Sequence, residues 1–305
     1  MIRSLNTASL GIRQFQASLD VLANNLANLN TVGYKASRAD FVESLNSVLR
    51  APTPDTATAS GTSGVTVGNG VATAAIRSNF SQGSINQSGL ATDFSITGKG
   101  YFLVRNSSSG EVFATRSGNF RLDSAGYLVT DGGLRVQGVE DYQKSSTQIG
   151  DIRFNKGTVP SDAGPTAATA AITNISVDGS GRLNTLLDDG TQYVRAQMVL
   201  QSFSNEQALV RAGNNLFTNL GASGASVADA TTPFTSTPSS SILNGAKTPN
   251  QDGMGRIEQG SLELSNVDVS REFSNMITTQ RAFQASARMI TTSDSILEEL
   301  VNLKR

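Results

Sequence analysis

The 305-residue chain contains no cysteine and no histidine. Those two absences exclude a thiol nucleophile, a disulfide, a cysteine-based zinc or iron–sulfur site and a Ser-His-Asp triad. Carboxylate, lysine and tyrosine chemistry remain. Tryptophan is also missing and aromatic residues make up only 6%, while 29 glycines and abundant Ser, Thr, Asn and Ala predict many turns and thin cores. The net charge of -1 comes without any cluster of Lys and Arg, which argues against nucleic acid as a partner. No stretch approaches the roughly 18 consecutive apolar residues that a membrane span requires, so no membrane insertion is expected. Near the N-terminus Arg3 and Arg13 interrupt the apolar residues, which argues against a cleaved signal peptide. The remaining carboxylate candidates, Asp188-Asp189 and the Asp123/Asp131 pair, lie in Asp-Gly-type turns, where a carboxylate ordinarily bonds the local backbone. Asp178-Gly179-Ser180-Gly181 lacks the alternating ligands and terminal Glu of a calcium loop and reads as a hairpin turn. These readings predict no enzyme, no metal and no cofactor.

What the chain does have is an apolar heptad at each end. Leu5, Ala8, Ile12, Phe15, Leu19, Leu22, Leu26 and Leu29 recur at steps of three and four. Val269, Phe273, Met276, Phe283, Ala287, Ile290, Leu297 and Val301 do the same, interrupted by polar Gln280 and Asp294. The first predicts a helix from about Leu5 to Asn30, closed near Gly33. The second predicts a helix running to the C-terminus, capped by Ser265 in a Ser265–Asp268 capping box and finished by Lys304 and Arg305. Two stripes at opposite termini can pair with each other or with another copy of the chain, so the pattern points to assembly.

Between the helices the period changes. Phe41, Leu45, Val48 and Leu49 share a helical face that ends at Pro52-Thr53-Pro54. From about Ala51 to Gly70 the chain reads as an extended linker. From Val71 the period is two, and closely spaced Gly-containing turns separate short runs such as Tyr101–Val104, Phe120–Leu122, Leu134–Val136, Ile175–Val177, Arg182–Leu187 and Tyr193–Phe203. The expected fold is therefore α+β. Long terminal helices form a coiled-coil-like assembly domain (1–35 and 266–305), and a short helix with an extended linker follows at 36–70. A central antiparallel, barrel- or sandwich-like β-domain occupies 71–265, with Ser/Thr/Ala-rich spacers at about 160–171 and 222–249.

The segment Ala23-Asn24-Asn25-Leu26-Ala27-Asn28-Leu29-Asn30-Thr31-Val32-Gly33-Tyr34-Lys35 resembles the N-terminal signature of the bacterial flagellar rod and hook proteins. Three further blocks agree in order: Phe80–Gly83 onward through Gly98–Phe102 and Arg116–Phe120; Gly213–Phe217; and Gly260-Ser261-Leu262-Glu263-Leu264-Ser265-Asn266-Val267-Asp268. The end, Ile290 to Arg305, resembles the hook members more than the distal-rod members. The resemblance implies a structural subunit that is exported through the flagellar type III apparatus without a cleaved signal. It would polymerise helically into a hollow hook that passes motor torque to the filament. The implied partners are other copies of the chain, the distal rod below, the hook–filament junction protein above and the hook cap during assembly. Distal-rod subunit is the second reading, and a secreted β-rich adhesin is the reading from another class. Asn24, Asn25, Asn28 and Asn30 surround the N-terminal stripe without joining it.

Overall fold

The computed structural model describes residues 2–54, 60–139, 148–154, 172–188, 190, 192–224, 235–236 and 246–303. The spacers at about 160–171 and 222–249 lie mostly outside them, as do Asp189, Lys304 and Arg305. Two helices and an antiparallel β-rich middle make an α+β fold. The chain divides into two units, Met1–Leu29 with Ala36–Asn79 and Val267–Arg305, and Asn30–Lys35 with Phe80–Asn266.

The first unit holds helix α1, Ile2–Ala27, and helix α2, Val269–Asn302, packed against each other. α1 ends where Asn28 donates both its amide and its side-chain nitrogen to Asn24 O, so one carbonyl of the last turn accepts twice. α2 starts three residues later than the sequence predicts. Asp268, not Ser265, is its cap, and its carboxylate accepts from the amides of Ser270 (2.9 Å) and Arg271 (3.2 Å). An Asp so placed also meets the positive end of the helix dipole.

The short helix expected around Phe41 to Leu49 is absent. Strand Ser37–Glu43 pairs antiparallel with Val71–Ser78, with a bulge at Asp40/Phe41, and Ser47–Arg50 pairs with Val65–Val67. Phe41, Val42, Val48 and Leu49 suit a pleated surface, and their ladder partners lie far along the chain. The distant pairing overrides a local period of three to four.

The second unit is built on one large sheet. Its main path runs Ile172–Val177, Arg182–Leu187, Gln192–Met198, Arg135–Val139, Tyr101–Arg105, Val112–Thr115, Leu216–Thr218, Val210–Gly213, antiparallel at every step. Strand Tyr101–Arg105 is covered on both faces. Phe102 and Val104 enter one core with Phe94, Phe120 and Ile257, while Tyr101 and Leu103 enter another with Phe203 and Phe217. The expectation of thin cores fails here because the scarce aromatics are concentrated on the two sides of a single strand. Two further pairs, Arg256–Gln259 with Phe94–Thr97 and Ser261–Glu263 with Ile85–Gln87, carry the chain back across the body.

Candidate functional site

Helix α1 presents its buried residues on one line. Ala8, Gly11, Leu22 and Asn25 are buried, and Leu5, Ile12, Phe15, Leu19, Leu26 and Leu29 are half-buried around them. Asn25 is thus the correction to the sequence reading, because it joins the stripe and is 1% exposed. Its side-chain nitrogen donates to Ser37 O (2.7 Å) and Glu272 Oε2 (3.2 Å), and its oxygen accepts the Ser37 amide (2.9 Å). The polar side chain fits the line because all of its capacity is used. At Gly11 the two helices come close enough that a β-carbon would stand 3.6 Å from Ser286 Oγ, an ordinary van der Waals contact.

On α2 the half-buried residues step by threes and fours through Val269, Glu272, Met276, Thr279, Phe283, Ser286, Ile290, Ser293 and Leu297. Met276, Phe283, Ile290 and Leu297 lie where predicted, with Ala287 beside them. Phe273 and Val301 do not; they are 46% and 69% exposed. The stripe uses small or acidic residues at its alternate positions, and an apolar-only search steps past Glu272 to the neighbouring Phe273. Gln280 and Asp294 are exposed beside the line rather than in it. No residue of α2 is fully buried, and Ile277, Met289, Ile296, Leu300 and Leu303 join Phe273 and Val301 as exposed large apolar side chains. The hydroxyls of Ser274, Thr278, Thr279, Thr291, Thr292, Ser293 and Ser295 donate back to carbonyls three or four residues earlier in the same helix.

Of the remaining signature residues, Asn30, Gly33, Tyr34, Ser265 and Asn266 belong to the β-rich unit, and Asn24, Asn28 and Val267 to the helical one. Gly33 has φ +69°, and a β-carbon there would stand 2.6 Å from the Ser117 amide, so conformation and space both require glycine. Tyr34 is buried under the Arg211 guanidinium, 4.9 Å from its ring centre, and Arg211 also donates to Lys35 O. Ser265 and Val267 are buried, and Asn266 donates its side-chain nitrogen to Ser81 O and Oγ, 3.0 Å each. Asn30 and Asn24 are exposed and Asn28 is half-buried. The Gly213-Asn214-Asn215 block is a hairpin turn with Asn214 and Asn215 at φ 49° and 57°; from there Asn215 reaches Val32 O at 2.6 Å.

Sequence reasoning missed the charges inside these blocks. Lys35 Nζ donates to Glu263 Oε1 (2.7 Å) and Ser81 O (2.8 Å), and Arg116 donates to Glu263 Oε2 (3.3 Å) and Gly98 O (2.8 Å). All three side chains are at most 4% exposed. Burial pushes the Lys35 ammonium below its ordinary pKa, with the Glu263 carboxylate opposing that shift. The available signal was a charged residue in each of three glycine-rich signature blocks. A half-buried acid, Asp151, accepts from Arg105 (2.8 Å), Arg135 (2.9 Å) and Gln137 (2.7 Å). Burial alone would raise its pKa, but these bonds outweigh it and hold the carboxyl below the usual range.

The turn carboxylates do local work. Asp123 Oδ1 accepts the amides of Ala125 and Tyr127, and Asp178 Oδ1 those of Ser180 and Arg182. Among the described residues no group of three or more acidic side chains could hold a metal ion, and no helix is long and apolar enough to cross a membrane.

Comparison with known proteins agrees with this geometry. Residues 5–35 match the model "Flagella basal body rod protein", 95–185 match "Flagellar hook protein FlgE/F/G D1 domain", and 258–303 match "Flagellar basal body rod FlgEFG protein C-terminal". The flagellar basal-body rod protein FlgG of Bacillus subtilis is 34% identical over 100% of both chains. That of Borreliella burgdorferi is 32% identical, again over 100% of both. The flagellar hook protein FlgE of Helicobacter pylori is 38% identical over 58% of this chain but 24% of its own length. A charged lock inside the signature blocks, two terminal helices and end-to-end similarity to rod proteins lead to one conclusion: the chain belongs to the flagellar rod and hook family, whose members are structural axial proteins and not enzymes.

Proposed function

We propose that this chain is the distal-rod subunit of the bacterial flagellum, polymerising with copies of itself into a hollow tube that carries motor torque outward. The observation that carries the rod position is length: two rod relatives match from end to end, whereas the match to the hook relative covers 24% of that protein and leaves about three-quarters of it outside the alignment. The hook is the second reading, favoured by the 38% identity over the part that does match. Antibody labelling of isolated hook–basal bodies distinguishes them. Label on the rod is expected, and label along the hook overturns the rod position in favour of the second reading.

Polymerisation is supported by α2, which has no fully buried residue and a row of exposed apolar ones. Each such side chain, once covered, contributes up to about 1.5–3 kcal/mol. Helix order and assembly are then one coupled step, and the dilute protein has lower helicity than the polymer. The three-and-four spacing on α2 supports a coiled-coil-like pairing with α1. The two cores on either side of strand Tyr101–Arg105 support a sandwich-like body. Adjoining axial proteins are the further partners, and delivery by the type III export apparatus belongs to the same reading. Negative-stain microscopy of concentrated protein is the test of assembly: tubes are expected, and a persistently compact monomer overturns it. Removing the residues after Asn266 abolishes tubes while leaving the β-rich unit folded.

A further inference from the structure

We infer that the β-rich unit is locked by its own chain ends, so that it closes as a whole only when its last-made segment, Ser261–Asn266, is in place. The lock is the Lys35–Glu263–Arg116 cluster. Its members are 228 and 147 residues apart in sequence, and the acid is 0% exposed. Glu263 also accepts the Gly83 amide through Oε1 (2.9 Å), and its own carbonyl accepts the Gly33 amide (2.8 Å). One residue therefore ties together the segments around Gly33, Gly83 and Arg116.

The packing allows no looser version. A β-carbon at Gly83 would stand 2.0 Å from Leu264 O, and one at Gly118 would stand 1.6 Å from Phe94 O. The outgoing strand also completes pairing that no other strand supplies among the described residues, Ser261–Glu263 on Ile85–Gln87 and Leu264 N on Ser84 O (2.8 Å).

A buried ion pair adds little to the stability of a finished protein, because desolvation offsets the attraction; removing one partner, in contrast, leaves a bare charge in the interior and is strongly unfavourable. Before Glu263 arrives, Arg116 and Lys35 are two like charges converging on one unfilled site, with half-buried Glu206 the further acid acting on Lys35. Closing the body around them in that state is blocked. With Glu263 present the same residues cost little. The cluster thus discriminates complete from incomplete chains rather than strengthening the complete one. In a chain delivered N-terminus first it keeps the central strands, Tyr101–Arg105 and Arg135–Val139 among them, open until Ser261–Asn266 arrives.

The test is pulse-labelled hydrogen exchange during refolding of the full chain from urea. In the natural protein, Tyr101–Arg105 and Arg135–Val139 gain protection in the same phase as Ser261–Glu263. In the triple variant K35M/R116M/E263L, with the charges gone, those central strands gain protection in an earlier phase. At equilibrium E263Q lowers protection of the central strands about a hundredfold, and the triple variant restores it. Central strands protected before Ser261–Glu263 in the natural protein overturn the inference. Loss of protection in E263Q confined to 30–35 and 261–266 also overturns it, as does a triple variant that stays open when E263Q does, since shape rather than charge would then decide.

Discussion

The two units of this chain handle burial in opposite ways. The β-rich unit hides Phe94, Tyr101, Phe102, Leu103, Arg195 and Lys35 at 1% exposure or less and settles its buried charges internally. The helical unit hides Ala8, Gly11, Leu22 and Asn25 in α1, nothing fully in α2, and leaves large apolar side chains in water. One unit is complete in a single molecule. The other leaves apolar surface uncovered, and the proposed assembly rests on that difference.

The comparison breaks most readily in the β-rich unit. Phe102→Ala removes a fully buried ring that meets Phe120 edge-on at 5.3 Å, and is expected to cost about 3–5 kcal/mol in urea unfolding of dilute protein. A loss under about 1 kcal/mol would mean that this core is not the source of the unit's stability. In the helical unit Asn25→Leu leaves the Ser37 amide and carbonyl and Glu272 short of a partner. It should cost about 1–3 kcal/mol, read as a lower melting temperature of the helical signal in assembled protein.

Acid distinguishes the units next. Asp151 is held below its ordinary value of 3.8, so its contribution is complete above that pH and fades as pH falls through the lower folded value. Asp151→Asn should flatten that part of the acid-unfolding curve of the β-rich unit while leaving the helical signal unchanged. Asp268→Ala removes the α2 cap at about 1 kcal/mol, measured by the same helical melt. Smallest in the monomer is Ile277→Ser, at 52% exposure: its stability should stay within about 0.5 kcal/mol, yet the concentration needed for tubes should rise. Unchanged assembly would remove that face of α2 from the subunit contact.

The two helices and the strands at Tyr101 and Arg182 were legible because each announces itself within a dozen residues. Apolar periodicity marks the helices, and glycine-containing turns bracket the strands, Gly98-Lys99-Gly100 and Ser109-Gly110 around the first and Asp178-Gly179 and Asp188-Asp189-Gly190 around the second. Gly33 was legible as a left-handed glycine but not as what it is: α1 ends at Ala27, and Gly33 sits six residues further on, where it meets the Ser117 amide. Asn25 was not, since a polar residue in a stripe reads as surface until its partners at Ser37 and Glu272 are known. The strands at Ser37–Glu43 and Ser47–Arg50 were misread because their ladders depend on residues about 20 to 40 positions away. The Lys35–Glu263–Arg116 cluster left only the weak signal of one charge in each of three signature blocks, because nothing local reveals that charges 228 and 147 residues apart share one dry site.

The hydroxyl groups along α2 carry a consequence for any neighbour that covers them. At Thr278, Thr279, Thr292 and Ser293 the hydroxyl already spends its proton on the helix's own backbone, so there a passing surface is not asked to supply an acceptor in a fixed place. Those positions can be covered by greasy or small side chains without stranding a hydroxyl. A subunit meeting non-identical neighbours above, below and alongside itself needs that kind of chemical tolerance.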